Sequence, residues 1–346
     1  MRFPPVFLLF LQRNLHGMSI VDINEESLRA YDPDVLDILL KDRTTGSNIF
    51  WATSDYAKLG GRYAYNSPIL PELITGENAQ VIRPRVLKAR EEQSARAKEM
   101  AEVFTPAWIC NAQNNLIDEA WFGRKDVFNK ENEDRTWATT DSPVEFPEGK
   151  TWRDYIMDTR LEITCGEAPY ITSRYDVTNG EFIEPKNRIG LLDRKLRVVS
   201  ENTTSPEEWI AAAYDACKNI YAYEWQGDNL LLAREAMLWT FGEFYYDKFR
   251  TDLPKDAIFE VATIISWNVW QMDGLKCVVP DSCKEKMSKQ LDMFGAPPEK
   301  HPCPACKNNA LKGHTGKYCT IMDWYAKGKD GTMGKTVKFV DLITKK

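Results

Sequence analysis

Residues 160–275 switch back and forth between two hydrophobic periods, and that alternation limits the folds open to the chain more than any other feature. A short β-rich run, RLEITCG (160–166), precedes two helical patterns, GLLDRKLRVVSEN (190–202) and SPEEWIAAAYDACK (205–218). A second run, NIYAYEW (219–225), precedes GDNLLLAREAMLWTFGEFYYDKF (227–249), and TIISWNVWQMDGL (263–275) reads as the third run. Strand, helix, strand, helix, strand is the order of a parallel sheet joined by crossover helices. The expected class is therefore α/β, a three-layer sandwich, with strands 161–164, 220–224 and 264–269 in one sheet. Ser205, Pro206 and Glu208 supply the cap, the first-turn proline and the capping-box acid of a helix start.

Ligands of open parallel sheets gather at the carboxyl ends of the strands, so the residues that end each run matter. The first run ends in Cys165-Gly166-Glu167-Ala168-Pro169-Tyr170, a small turn that lets backbone approach a neighbouring strand or a ligand closely. The second ends at Glu224, an acid placed to accept from both hydroxyls of a ribose. The third ends at Asp273-Gly274-Leu275.

With 346 residues, 43% apolar and 12% aromatic, the chain can fill a substantial core and is not of disordered composition. Its net charge of -6 excludes a general polycation, so any DNA contact has to be local. Two places offer one: the Arg- and Lys-bearing segment 83–104, expected as an exposed helix or arm, and a Lys-rich loop near the C-terminus. Residues 1–17 read as a poorly ordered leader, 18–104 as an α+β lead-in with the basic arm, 105–280 as the cofactor domain and 281–346 as a C-terminal extension. No run is long enough to span a bilayer, and the expected compartment is the cytoplasm. Thr105 and Pro106 mark a helix start, with Trp108, Ala112, Leu116 and Ala120 on one face. Asn179-Gly180 marks a hairpin turn within 174–188.

The C-terminal stretch HPCPACKNNALKGHTGKYC holds Cys303, Cys306, His314 and Cys319, three thiolates and an imidazole of the kind a tetrahedral structural zinc prefers. His301 is a spare candidate. The remaining cysteines, at 110, 165, 217, 277 and 283, read as scattered reduced thiols.

Four stretches resemble the N6-adenine DNA methyltransferases, the branch that contains type I modification subunits and related restriction-modification enzymes. AEVFTPAWI resembles the family's Phe/Tyr-Thr-Pro entry, and EITCGEAPYI its S-adenosylmethionine loop, with Glu162 in place of the usual Asp. YEWQGDNLLLAREAML resembles the element that carries the ribose-binding acid, here Glu224, and IISWNVWQMDGL the one whose Asp lies beside the cofactor's adenine, here Asp273. The resemblance covers about half of the chain, in the family's order. It implies a Rossmann-like methyltransferase fold and a cofactor site of Thr105, Glu162, Cys165, Gly166, Tyr170, Glu224 and Asp273. It further implies DNA as substrate and restriction-modification subunits as partners.

The chain departs from that family in one respect that bears on activity. The Asp/Asn/Ser-Pro-Pro-aromatic tetrapeptide that orients the target amino group is missing after Leu275. Asn66-Ser67-Pro68-Ile69 lacks the second proline and the aromatic, and IMDWYAKG, where Asp323 and Trp324 follow the zinc loop, is left as a stretch from which residues 276–346 could rebuild a catalytic loop. The expectation is a methyltransferase-like subunit that needs a partner or is catalytically silent. The alternative is a non-enzymatic DNA- or protein-binding module using the zinc loop and the basic arm.

Overall fold

The computed structural model of the chain describes residues 25–88, 105–287, 300–328 and 331–344. The leader, and most of the basic arm at 89–104, lie outside the described residues. Helices α1 (Glu25–Tyr31) and α2 (Pro33–Leu40) come first, then α3 (Ala107–Phe122), the strand pair β1 (Asn129–Glu131) and β2 (Trp137–Thr139), α4 (Trp152–Met157) and β3 (Arg160–Ile163). The α/β part continues with α5 (Leu191–Asn202), α6 (Pro206–Lys218), β4 (Ile220–Glu224), α7 (Gly227–Phe249), α8 (Lys255–Asn268) and β5 (Val269–Gln271). The C-terminal part holds β6 (Lys286–Met287), β7 (Lys300–His301), α9 (Pro304–Lys307), β8 (Thr320–Lys327), β9 (Met333–Lys338) and α10 (Phe339–Ile343).

β3, β4 and β5 form one parallel sheet in that order, with Leu161 beside Tyr221 and Tyr223 beside Trp270. The third strand lies later than its sequence suggests: 264–268 is the last turn of α8, and the strand is Val269–Gln271. Ile264 and Ile265 favour strands by their branching, yet they bury at helical spacing with Val261 and Ala262, so packing overrides the local preference.

Side chains alternate across the sheet and feed two separate cores. Ile220, Ala222 and Val269 pack with the helices and with the lead-in residues Leu36, Leu39 and Trp51. Tyr223 and Trp270 point the other way, toward Ile321 of β8 and Phe339 and Val340 of α10. The second face of the sheet is thus covered by an antiparallel hairpin and a short helix, where crossover helices were expected.

The lead-in is bonded directly to the α/β part. Gly227 opens α7 with its N–H on the Trp51 carbonyl at 3.0 Å, and a Cβ there would meet the Phe50 carbonyl oxygen at 2.1 Å, so only glycine fits. The buried Arg234 guanidinium donates to the carbonyls of Val269 (2.8 Å), Lys41 (3.0 Å), Ser266 (3.3 Å) and Leu39, joining α2, α7 and the start of β5. Lys195 does the same at the other end of the sheet, donating to Ile156 O (2.9 Å) and Asn219 O (3.3 Å) just ahead of β3 and β4.

α3 reverses the expected orientation of its faces. Leu116 is 64% exposed, while Asn111, Asn114 and Asp118 are buried. They are buried because they are satisfied: Asn114 donates to the carbonyls of Tyr170 and Ile189, and the Arg194 guanidinium reaches Asp118 and Asn111. The helix begins one residue later than its sequence suggests. Pro106 stands at the cap position, and the Ala107 N–H is taken by Asp176 at 3.1 Å.

One buried carboxyl pair gives the fold a pH dependence. Burial lifts Glu25 to about 8 and Glu235 well above the usual carboxylate range, and each raises the other's cost of ionising. Both Glu235 oxygens lack a hydrogen-bond partner among the described residues. A folded-state value above the unfolded one gives stability that is present below about 4.5 and is lost as pH rises toward about 8. Glu235→Gln is therefore expected to raise the melting temperature by several degrees at pH 8 and to leave it nearly unchanged at pH 4, as a thermal scan at both values would read.

Candidate functional site

The turn after β3 is a strained backbone held from several sides. Thr164, Gly166 and Ala168 all take left-handed conformations, with φ of 49°, 55° and 60°. For the two non-glycines this costs about 1 kcal/mol or more each. Cys165 N–H bonds the Tyr223 carbonyl at 3.0 Å, and Ala168 N–H closes onto Cys165 O at 2.8 Å. The Glu167 carboxylate accepts from Arg85 N–H at 2.6 Å and from the Tyr175 hydroxyl at 2.8 Å, which ties lead-in and hairpin to the turn.

Glu224 completes this arrangement. It ends β4, is buried, and its carboxylate accepts from Gly166 N–H at 2.9 Å and from Gln226 N–H at 3.1 Å. Burial raises its proton affinity, and the backbone bonds pull it partly back. The Trp225 N–H also bears on it, so of a carboxylate's roughly four lone-pair positions about one remains for a ligand hydroxyl.

Glu162 stands on the same face of the neighbouring strand. Burial pushes it well above the usual carboxylate range, with the Glu224 charge adding to the effect, and its Oε2 has no partner among the described residues. The Tyr170 hydroxyl lies within hydrogen-bond reach of Thr105 and Cys110. Thr105, Glu162, Cys165, Gly166, Tyr170 and Glu224 are therefore gathered at the carboxyl ends of β3 and β4.

Asp273 differs from these six. It is buried, its Oδ1 accepts from the N–H groups of Leu275 and Lys276 at 3.0 and 3.2 Å, and its Oδ2 pairs with Lys276 Nζ at 2.7 Å. Its side chain is committed to its own turn, whereas the sequence suggested a carboxylate free for an adenine. Asp176 serves as a cap to α3 and an acceptor for Thr178 N–H.

The group among the described residues that could hold a metal ion is Cys283, Cys303, Cys306 and His314. His314 Nδ1 lies 3.5, 3.6 and 3.5 Å from the sulfurs of Cys283, Cys303 and Cys306. Zinc bond lengths of about 2.3 Å to sulfur and 2.1 Å to nitrogen, at tetrahedral angles, put the two ligand atoms about 3.6 Å apart. The three sulfurs thus stand from Nδ1 at the separation a tetrahedral zinc would impose, and all four donor atoms lie within 4.8 Å of one another.

The thiols of the group differ in their surroundings. The neighbouring thiols Cys283 and Cys303 add to burial in raising Cys306 to about 11. Against burial, the backbone N–H groups of Cys306 and Thr315 and the His314 ring bring Cys303 down to about 5. Thr315 N–H bonds the Cys303 sulfur at 3.3 Å, and the Tyr318 hydroxyl braces the loop by accepting from His314 N–H and donating to Leu311 O, each at 3.0 Å.

Cys319, expected as the fourth ligand, is buried in the second core with its sulfur 3.3 Å from Gln271 O. It immediately precedes β8, whose next residue but one, Ile321, packs inward beside it. Cys283 takes its place. The segment around it is zipped to the loop, with Lys284 N–H on Thr315 Oγ1 and Lys317 N–H on Ser282 Oγ, both at 3.0 Å. Comparison of the chain with known protein families, with curated proteins and with solved structures finds no match. No helix among the described residues is long and apolar enough to cross a membrane.

Proposed function

We propose that the chain binds S-adenosylmethionine at the carboxyl edge of its parallel sheet and acts as a methyltransferase-like subunit on adenine in DNA. In this reading the Cys283, Cys303, Cys306 and His314 cluster holds a structural zinc. The observation that carries the cofactor site is the bond from Gly166 N–H to Glu224: an acid at the end of one strand meets the left-handed turn that ends its parallel neighbour. Glu224 would receive a ribose hydroxyl, and the turn over residues 165–170 would leave room for the rest of the ligand. Bound S-adenosylmethionine would supply the methyl group. The chain's own residues would bind and orient the cofactor; the Pro-Pro tetrapeptide is missing after Leu275, so in this reading transfer needs a partner that supplies it or does not occur. All four metal ligands are thiol or imidazole, which leaves no open position for a substrate and favours a structural role.

A non-enzymatic binding module is the second reading, and the engagement of Asp273 by Lys276 favours it. Calorimetry with S-adenosylmethionine separates the two. Saturable binding is expected, and Glu224→Gln, which can still accept from Gly166 N–H, is expected to weaken it at least tenfold because a charged acceptor is lost. Absence of binding at about millimolar ligand, an affinity near -4 kcal/mol, would leave the module as the function. Methyl transfer to mixed-sequence DNA, measured with and without candidate partner subunits, then tests the substrate.

A further inference from the structure

Accessible thiols are confined to one place in this chain. Of its eight cysteines, Cys110, Cys165, Cys217, Cys277, Cys303 and Cys319 are buried, and only Cys283 and Cys306 are half-exposed. These two come from separate segments, yet their sulfurs lie within 4.8 Å of each other. A disulfide bond is about 2.05 Å long, so the sulfurs have to approach by less than about 3 Å to form one. Oxidants attack the thiolate, the form a thiol takes as a metal ligand, and they select exposed sulfurs that have a second thiol beside them. Cys303 is the least available of the three, because its sulfur is buried and accepts from Thr315 N–H at 3.3 Å.

We propose that Cys283 and Cys306 join in a disulfide when the chain meets a peroxide, and that the site then no longer holds its metal. The second half rests on the structural-zinc reading above. The Cys306 thiolate attacks one oxygen of hydrogen peroxide, the O–O bond breaks, and hydroxide leaves, giving a sulfenic acid. The Cys283 thiolate then attacks that sulfur, the S–S bond forms, and a second hydroxide leaves. Two electrons pass from the two sulfurs to the peroxide oxygens, and two protons from solvent complete two waters. Cys303 and His314 are left, two donors where a structural zinc takes four. The new bond ties residue 283 to the start of the loop and replaces nothing at His314. None of residues 307–314 is buried, and Leu311 is 38% exposed. Beyond the metal, this stretch is held mainly by the Tyr318 hydroxyl at His314 N–H and Leu311 O. Oxidation therefore exchanges a four-ligand staple for a single covalent link and releases residues 307–314.

The full chain, purified without chelator, is treated with hydrogen peroxide in the presence of a zinc-binding dye and then digested without reduction. Stoichiometric zinc release is expected, together with a peptide that joins Cys283 to Cys306. Amide exchange over 307–314 is expected to quicken at least tenfold while the parallel sheet keeps its protection. Dithiothreitol and added zinc should restore the starting state, since an exposed disulfide is readily reduced. Cys319→Ser should respond as the wild-type chain does. Thiols that stay unlinked at about millimolar peroxide, a disulfide that joins other cysteines, oxidation of Cys306 to its sulfinic acid without a disulfide, or a Cys283 to Cys306 link in a chain that keeps its metal would each overturn the proposal. Metal content measured before the oxidant tests the zinc reading separately. In a chain that carries no metal, the peptide map still decides whether Cys283 and Cys306 join.

Discussion

Replacing Cys283 by Ser is expected to remove stoichiometric zinc from protein purified without chelator and to unfold the loop at 300–318. Cys319→Ser is expected to leave the metal in place. The sizes follow from what else holds the loop. Between residues 281 and 318 the only buried apolar side chains among the described residues are Cys303 and Ala305, so the segment has almost no core of its own. A structural zinc contributes about 10–16 kcal/mol in small zinc domains at neutral pH, far more than the few loop hydrogen bonds can replace. Elemental analysis reads the first outcome, and amide hydrogen exchange over 300–318 reads the second. The sheet should keep its protection, because its second face is covered by Ile321, Phe339 and Val340, which lie outside the loop. Full metal content in Cys283→Ser, or its loss in Cys319→Ser, would overturn the ligand assignment.

The two cysteines also mark where the sequence stops being informative. Cys303 and Cys306 are legible as ligands because their spacing is local, and His314 follows within the same loop. The fourth ligand is a choice between a nearby cysteine and a distant one, and ligand spacing ranks by nearness. Structure ranks by direction: Cys319 is turned into the apolar core ahead of β8, while Cys283, twenty positions upstream of Cys303, is folded back by the bonds at Lys284 and Lys317. The residues around Cys319 held the available signal, since Tyr-Cys-Thr-Ile-Met begins a strand and a cysteine among such residues is commonly core.

The parallel order of β3, β4 and β5 was legible for a different reason. Each run is bounded by strong punctuation, Cys165-Gly166, Gln226-Gly227 and Asp273-Gly274, and the intervening helices carry caps such as Ser205, whose side chain accepts from Glu208 N–H at 3.2 Å. α3 was misjudged in orientation because hydrophobic periodicity assumes that the buried face is the apolar one. Here Arg194 is buried, and its guanidinium has to be surrounded by acceptors, so the helix turns Asn111 and Asp118 inward and leaves Leu116 outside. No pattern of apolar residues encodes that requirement. The same limit applies at Asp273, whose role depends on a lysine three residues away folding back onto it.

Buried charge also sets the second large expected effect, at Glu243 of α7. Its carboxylate receives Arg174 Nη2 on Oε1 and Arg188 Nη1 on Oε2, each at 2.6 Å, and all three residues are buried. Burial alone would raise Glu243, but the two guanidinium groups outweigh it and hold the carboxyl below its usual range. Glu243→Gln keeps the shape and removes a charge that offsets two cations, so it is expected to cost about 3–5 kcal/mol, a fall in melting temperature of roughly 10 °C. Replacing the three residues together by Met, Met and Leu should cost less than the single change, because it leaves no uncompensated charge. The pH dependence has the opposite sign to that of Glu25 and Glu235. A folded-state value below the unfolded one gives stability that is present above about pH 4.5 and is lost as pH falls through the lowered value. The wild-type chain should therefore lose its advantage over Glu243→Gln on acidification, and thermal scans from neutral pH down to about pH 3 would show the two curves converging. Arg174 and Arg188 bracket the hairpin whose Tyr175 holds Glu167 in the turn beside Glu224. If the triad supports that turn, Glu243→Gln should also loosen the backbone at 165–170, measurable as faster hydrogen exchange there at a temperature where the rest of the sheet remains protected.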